Sequence, residues 1–230
     1  MRRWLTLLLM ATTGTLAGLS LATTVSATAP IPAEDELLRD ATLVFSRAIA
    51  TPAAAIPAAV LMRAAVIAVI PAAVSDGHRY YGTGVLSARG ARPDYWTLPA
   101  VIAFEGTIPL DLETGAIDFI VIAQTRRGVE YLTQGRLASA GLYWIVAGRV
   151  GHSSPVRIDP DLLGYMQFED YFAGVTIDEW VVHDITASNA TLYGRPYSTD
   201  DILRGADVAR VPWSARMWRD AIAGYFREMS

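Results

Sequence analysis

The sequence predicts an α+β domain built on an antiparallel, strongly curved sheet or barrel with N-terminal and C-terminal helices. Three observations lead there. Short segments rich in β-branched and aromatic residues, such as "VIAVI", "GAIDFIVIAQ" and "YFAGVTIDEWVVHD", follow one another with glycine-rich links. Helical spacing of apolar residues is strongest near the two ends of the chain. Finally, 52% of the 230 residues are apolar and only 18% are charged, a composition that excludes disorder and suits strands buried on both faces.

The first segment stands apart from that domain. Arg2 and Arg3 precede an apolar run from Trp4 to about Ala22, and Val25, Ser26 and Ala27 form a small-x-small pattern, so residues 1–27 read as a secretory signal cut after Ala27. An uncleaved inner-membrane anchor is the alternative, because the run is long for a signal. The processed chain is expected in the periplasm or outside the cell. It has no cysteine, so no disulfide can hold it and its core must suffice.

Residues 28–205 read as the domain proper. "AEDELLRDATLVFSRAIA" is an amphipathic helix: Leu37, Leu38, Ala41, Phe45, Ala48 and Ile49 share a face, and Glu34, Asp35 and Glu36 lie in the first turn, where the helix dipole favours them. The very apolar stretch "IPAAVLMRAAVIAVIPAAV" is too short to cross a membrane. Pro57 and Pro71 bracket it and Arg63 interrupts it, so it reads as a buried helix turning into a buried strand that Pro71 ends. Gly82 and Gly84 alternate along the next strand, the mark of a strand that is bent or closely approached by another backbone. "DYWTLPAVIAFEG" and "GAIDFIVIAQ" are further strands, "RRGVEYLTQG" a short helix, and "SAGLYWIVAGRVG", "LLGYMQF" and "YFAGVTIDEWVVHD" strands again. Residues 206–230 form a terminal amphipathic helix. Trp218, Ala221, Ile222, Tyr225, Phe226 and Met229 fall on one arc, and Arg216, Arg219, Asp220 and Arg227 on the other. Such a helix docks either on its own domain or in a membrane interface.

The order of four of these stretches resembles the SYLF domain family, the lipid-binding domain of bacterial envelope proteins and eukaryotic actin-patch and membrane-ruffling proteins. They are "IPAAVLMRAAVIAVIP", "YYGTGVLSARG" with "YWTLPAVIAFEG", "LASAGLYWIVAGRVG", and "YFAGVTIDEWVVHDITASNATLYGRPYSTDDILRG". Together they reach from about Glu36 to Gly205. The resemblance implies a non-enzymatic lipid-binding domain of the cell envelope, of the phospholipid or phosphoinositide type; an envelope scaffold or protein-interaction module is the alternative. "TIPLDLETGAIDF" departs from the family's serine- and glycine-rich strand by adding Asp111, Glu113 and Asp118, carboxylates that repel phosphate.

Charge narrows the partners. Every basic residue is arginine, and without Arg2 and Arg3 there remain 17 basic residues against 23 acidic ones, a formal charge of −6. That argues against a nucleic-acid partner and leaves a phospholipid or membrane surface, or an envelope protein. Attraction to anionic lipid must then come from local arginines acting within a Debye length. Two sets are concentrated enough: Arg126, Arg127 and Arg136, and the terminal-helix group Trp213, Arg216, Trp218, Arg219 and Arg227.

Catalysis finds little support in the residues. His152 beside Ser153 and His183 beside Asp184 are neighbours in sequence only, no Gly-x-Ser-x-Gly elbow occurs, and a His-Asp pair on a strand points to opposite faces. The spacing of His78, His152 and His183 provides no metal site, and no cofactor motif is present. Asn189, in "NAT", lies within a family-like helix, which implies a structural role for it.

Overall fold

The computed structural model describes residues 33–50, 56–77, 79–92, 94–107, 115–133, 161–168, 171–175 and 178–229. The segment expected to be a signal, the strand expected at "SAGLYWIVAGRVG", and the residues Arg136, Asp111, Glu113, His78 and His152 lie outside them.

The chain opens with α1 (Ala33–Ala50) and α2 (Ala58–Met62), followed by β1 (Val66–Ser75), β2 (Arg79–Ala88), β3 (Ala100–Thr107) and β4 (Ile117–Ala123). Next come α3 (Arg126–Thr133), β5 (Leu162–Phe168), β6 (Tyr171–Val175) and β7 (Asp178–Asp184). The chain ends with α4 (Thr186–Tyr193), α5 (Thr199–Leu203) and α6 (Trp213–Glu228). The strands form one sheet in the order β6-β5-β4-β1-β2-β3-β7, antiparallel at every step. An antiparallel sheet with helices at both ends is therefore present, as expected. No pairing joins β6 to β7 among the described residues, so closure into a barrel is not part of the hydrogen-bond ladder.

The strand half of the apolar stretch is inside the domain, as expected, whereas α2 is not a buried helix: Ala58 and Ala59 are exposed, and so are Ala72 and Val74 further along. Val66 to Ile70 are all buried, Leu61 anchors α2, and Arg63 is the exposed C-cap of that short helix. Pro71 departs from expectation, because β1 runs on through it to Ser75. A proline has no N–H for a central strand's ladder, and the register shifts there toward both neighbours. Ala72 takes a left-handed φ of 49°, and its freed N–H donates to Asp118 Oδ1 at 2.9 Å. The other oxygen of Asp118 meets Arg47 of α1 at 2.6 Å. An acid that looked like a departure from the family pattern thus secures a bulge and ties α1 to the sheet.

Both glycines of β2 lie against β1, as predicted. A Cβ on Gly84 would come within 2.6 Å of Val69 O, and one on Gly82 within 2.6 Å of Ile70 Cγ2. One face of the sheet is covered by α1 and α6. Phe45 meets Trp218 edge-on at 6.2 Å and Tyr225 at 6.3 Å, and Trp218 Nε1 donates to Ser87 Oγ at 2.9 Å. On the other face Phe119 packs against Tyr80 and Phe104.

Two polar residues lock the closing helices. Arg89 donates to the last carbonyls of α2, Leu61 O and Met62 O, while its guanidinium lies against Trp96 and Phe226; burial lowers its pKa. Asn189 is fully buried, accepts from Val101 N at 2.9 Å and donates to Tyr197 O at 3.0 Å. Its amide is spent on joining α4 to β3, the structural role its place in the sequence implied.

Candidate functional site

The two arginine sets have different surroundings. Arg126 and Arg127 open α3, whose N-terminus is fixed by Thr125: its hydroxyl donates to Asp161 and accepts from Gly128 N. Arg126 is 94% exposed and its Nε is 3.1 Å from Glu130 one turn later. Arg127 donates to Tyr131 Oη at 2.5 Å, stacks on that ring, and has Asp161 at 3.4 Å. The hydrogen bond to Tyr131, and then Asp161, raise its pKa above the ordinary arginine value. Both guanidiniums are on the surface, and each already has a carboxylate beside it.

The terminal set divides in two. Trp218 is completely buried, so it belongs to the core and not to a contact surface. A helix arc of Trp218, Ile222 and Phe226 needed something apolar to cover it, and α1 with the sheet does so. Arg219 is drawn to Asp220 at 3.6 Å, and Arg227 is exposed in the last turn. Trp213 is the exception among the aromatics of α6: it sits at the first turn and is 59% exposed.

Around Trp213 the two long helices meet. Ser214 Oγ donates to Asp35 in the first turn of α1, and the Arg39 Cζ lies 5.8 Å from the centre of the Trp213 ring. Arg216, three residues after Trp213 and hence on the same side of the helix, donates to Val211 O at 2.6 Å. Neither Arg39 nor Arg216 has a carboxylate partner among the described residues. Glu34 and Glu36 share the first turn of α1, so this end carries both signs, and only short-range contacts can favour an anion there. Arg39 was not among the sequence candidates. No aromatic lies one turn from it in α1, and only the pairing of α1 with α6 brings it to Trp213.

Other candidates separate in space. His183 lies opposite Ala103 and Asp184 opposite Ile102, on alternate faces, and Asp184 Oδ2 accepts from Thr199 N at 3.2 Å. Among the described residues no group of three or more His, Cys, Asp or Glu side chains is placed to hold a metal ion. Nor is any described helix long and apolar enough to cross a membrane.

Residues 113–225 match the family model Ysc84, described as Las17-binding protein actin regulator. The match runs through most of α6, so the helix expected as an appendage after Gly205 lies within the matched region. No curated protein and no solved structure matches the chain.

Proposed function

From the SYLF-family (Ysc84) domain that this chain carries, we propose an exported, non-enzymatic protein of the cell envelope that associates with a phospholipid surface through the paired N-termini of α1 and α6. The observation carrying this reading is Trp213, an exposed indole between Arg39 and Arg216, neither of which forms an ion pair among the described residues. An indole is suited to the head-group level of a bilayer, and each arginine adds about 1 kcal/mol near an anionic surface. Liposome co-sedimentation of the chain as isolated from cells, with and without anionic lipid, tests it: binding should need anionic lipid and fall sharply in Trp213→Ala. Equal absence of binding to both vesicles favours the second reading, an envelope scaffold, for which Glu34 and Glu36 beside Arg39 supply a mixed-charge docking face. Export is tested by mass spectrometry of the native N-terminus. Thr28 as first residue is expected, and Arg2 in the mature species contradicts it.

We further infer that the sheet curls into a barrel. Because every pairing is antiparallel, β6 and β7 run in the same direction, yet they are opposite ends of the strand order and only two residues separate them. Val175 and Asp178 can be at most about 11 Å apart, whereas seven flat strands span about 29 Å. Curling the sheet until the end of β6 approaches the start of β7 removes the conflict. Traced through β4, β1 and β2, Gly164 is level with Ala100; traced through Val175 and Asp178, it lies beyond the level of Thr107, at least seven residues further along. Such a stagger is what tilted strands in a closed barrel require. The Phe104–Phe119 contact across three strand intervals and the contact of α3 with both β4 and β7 support the same reading. A barrel has no free edge for a partner strand to extend, which leaves helices and outer faces for binding. Spin labels at Thr107 and Gly164, placed in a chain without native cysteines, should lie within about 20 Å; a flat sheet separates them by about 30 Å.

A further inference from the structure

An open groove of about 400 Å³ lies across β2, β3 and β7, next to the bulged end of β1. Thr83, Ala103 and His183 form one row across its three strands, with Tyr81 and Glu105 in the next row and Val74 at the side. The charged and phenolic groups around it are occupied: Arg79 pairs with Glu105 at 2.7 Å, and Tyr81 Oη donates to Asp76 at 3.1 Å. Thr83 and His183 are exposed and have no hydrogen-bond or ion-pair partner among the described residues. The groove therefore offers a hydroxyl and an imidazole on either side of a small apolar floor.

From this arrangement we propose that the groove binds a neutral polyhydroxylated ring, that is, one unit of a saccharide chain. The chemistry favours a neutral, hydroxyl-rich ligand. Arg79 and Glu105 neutralise each other and Asp76 accepts from Tyr81, so among the described residues no unpaired charge of either sign faces the groove to hold an ion. A wholly apolar ligand would desolvate Thr83 and His183 without replacing their hydrogen bonds to water. Two strand intervals separate Thr83 from His183 by about 10 Å, room for a pyranose ring with a hydrogen bond of about 2.8 Å at each side. The C–H face of the ring rests on Ala103 and Val74, and the shallow, open form of the groove lets a chain continue in both directions. No residue of this site belongs to the Trp213 surface, so the two proposals stand or fall separately.

The test is an NMR titration of the full chain, as cells produce it, with maltotriose, mannotriose and tri-N-acetylchitotriose. At least one should shift the signals of Thr83 and His183 with a Kd in the range of about 1 mM. Thr83→Val and His183→Leu should each weaken that binding about 3- to 10-fold, and Ala103→Phe should abolish it while the rest of the spectrum keeps its dispersion. The proposal is overturned if none of the three sugars shifts these signals, or if the shifts persist in Ala103→Phe together with both other variants. It is also overturned if sodium phosphate or arginine hydrochloride shifts the same signals at lower concentration. Vesicle binding should be unchanged in Thr83→Val.

Discussion

The start of α3 and the joint start of α1 and α6 look alike in composition but differ in what their arginines can still do. At α3, Arg126 and Arg127 are highly exposed, yet Glu130, Tyr131 and Asp161 already satisfy them. At the α1–α6 end, Arg39 and Arg216 flank an exposed tryptophan and, among the described residues, meet a ring and a carbonyl rather than a carboxylate. An arginine's value to a ligand depends on which partner it must give up, so density of charge along the chain is a poor guide to availability.

The comparison can be broken from the core outward. The largest expected effect belongs to Trp218→Ala, which removes the packing against Phe45 and the bond to Ser87. It should cost about 3–5 kcal/mol of stability in denaturant melts. A small loss there would mean that α6 is only loosely docked and that its apolar arc is free to enter a membrane. Trp213→Ala, by contrast, should change stability by no more than about 0.5 kcal/mol while weakening vesicle binding, since its ring is mostly outside. Arg126→Ala with Arg127→Ala should leave vesicle binding within about 2-fold and stability within about 1 kcal/mol, the size expected for exposed ion pairs.

The smallest effect concerns an acid rather than an arginine. Asp201 accepts from the side chain and backbone of Ser198 in the capping box of α5, and those bonds lower its pKa below the ordinary aspartate range. A depressed folded value stabilises the fold at pH above the unfolded aspartate pKa, and that contribution disappears as pH falls through the folded value. Asp201→Asn should therefore flatten the loss of stability below about pH 4 and leave the α1–α6 surface unaffected.

Much of this architecture is readable from local pattern. Periodicity identifies α1 and α6 and the buried side of each, proline spacing sets α2 before β1, and alternation of Gly82 with Gly84 marks the close approach of β1. What escapes is whatever depends on distant partners. Pro71 reads as a strand end because its missing donor is local, whereas the carboxylate that rescues the bulge, Asp118, comes from β4. Glu130 lies one turn from Arg126, within reach along the helix, but Asp161 reaches Arg127 only through the fold. The arc containing Trp218 was legible as apolar; that Ser87 and Phe45 would cover it was not. Arg39 escaped for the same reason, having no neighbour in sequence that points to Trp213.

One measurement addresses the contrast directly: co-sedimentation of two charge-reversed variants with anionic vesicles at low and moderate salt, one carrying Arg39→Glu and Arg216→Glu, the other Arg126→Glu and Arg127→Glu. The first should lose binding at least about 10-fold and the second should bind nearly as the parent chain does. Retention of binding by the first variant and its loss in the second would contradict the account and move the membrane surface to α3.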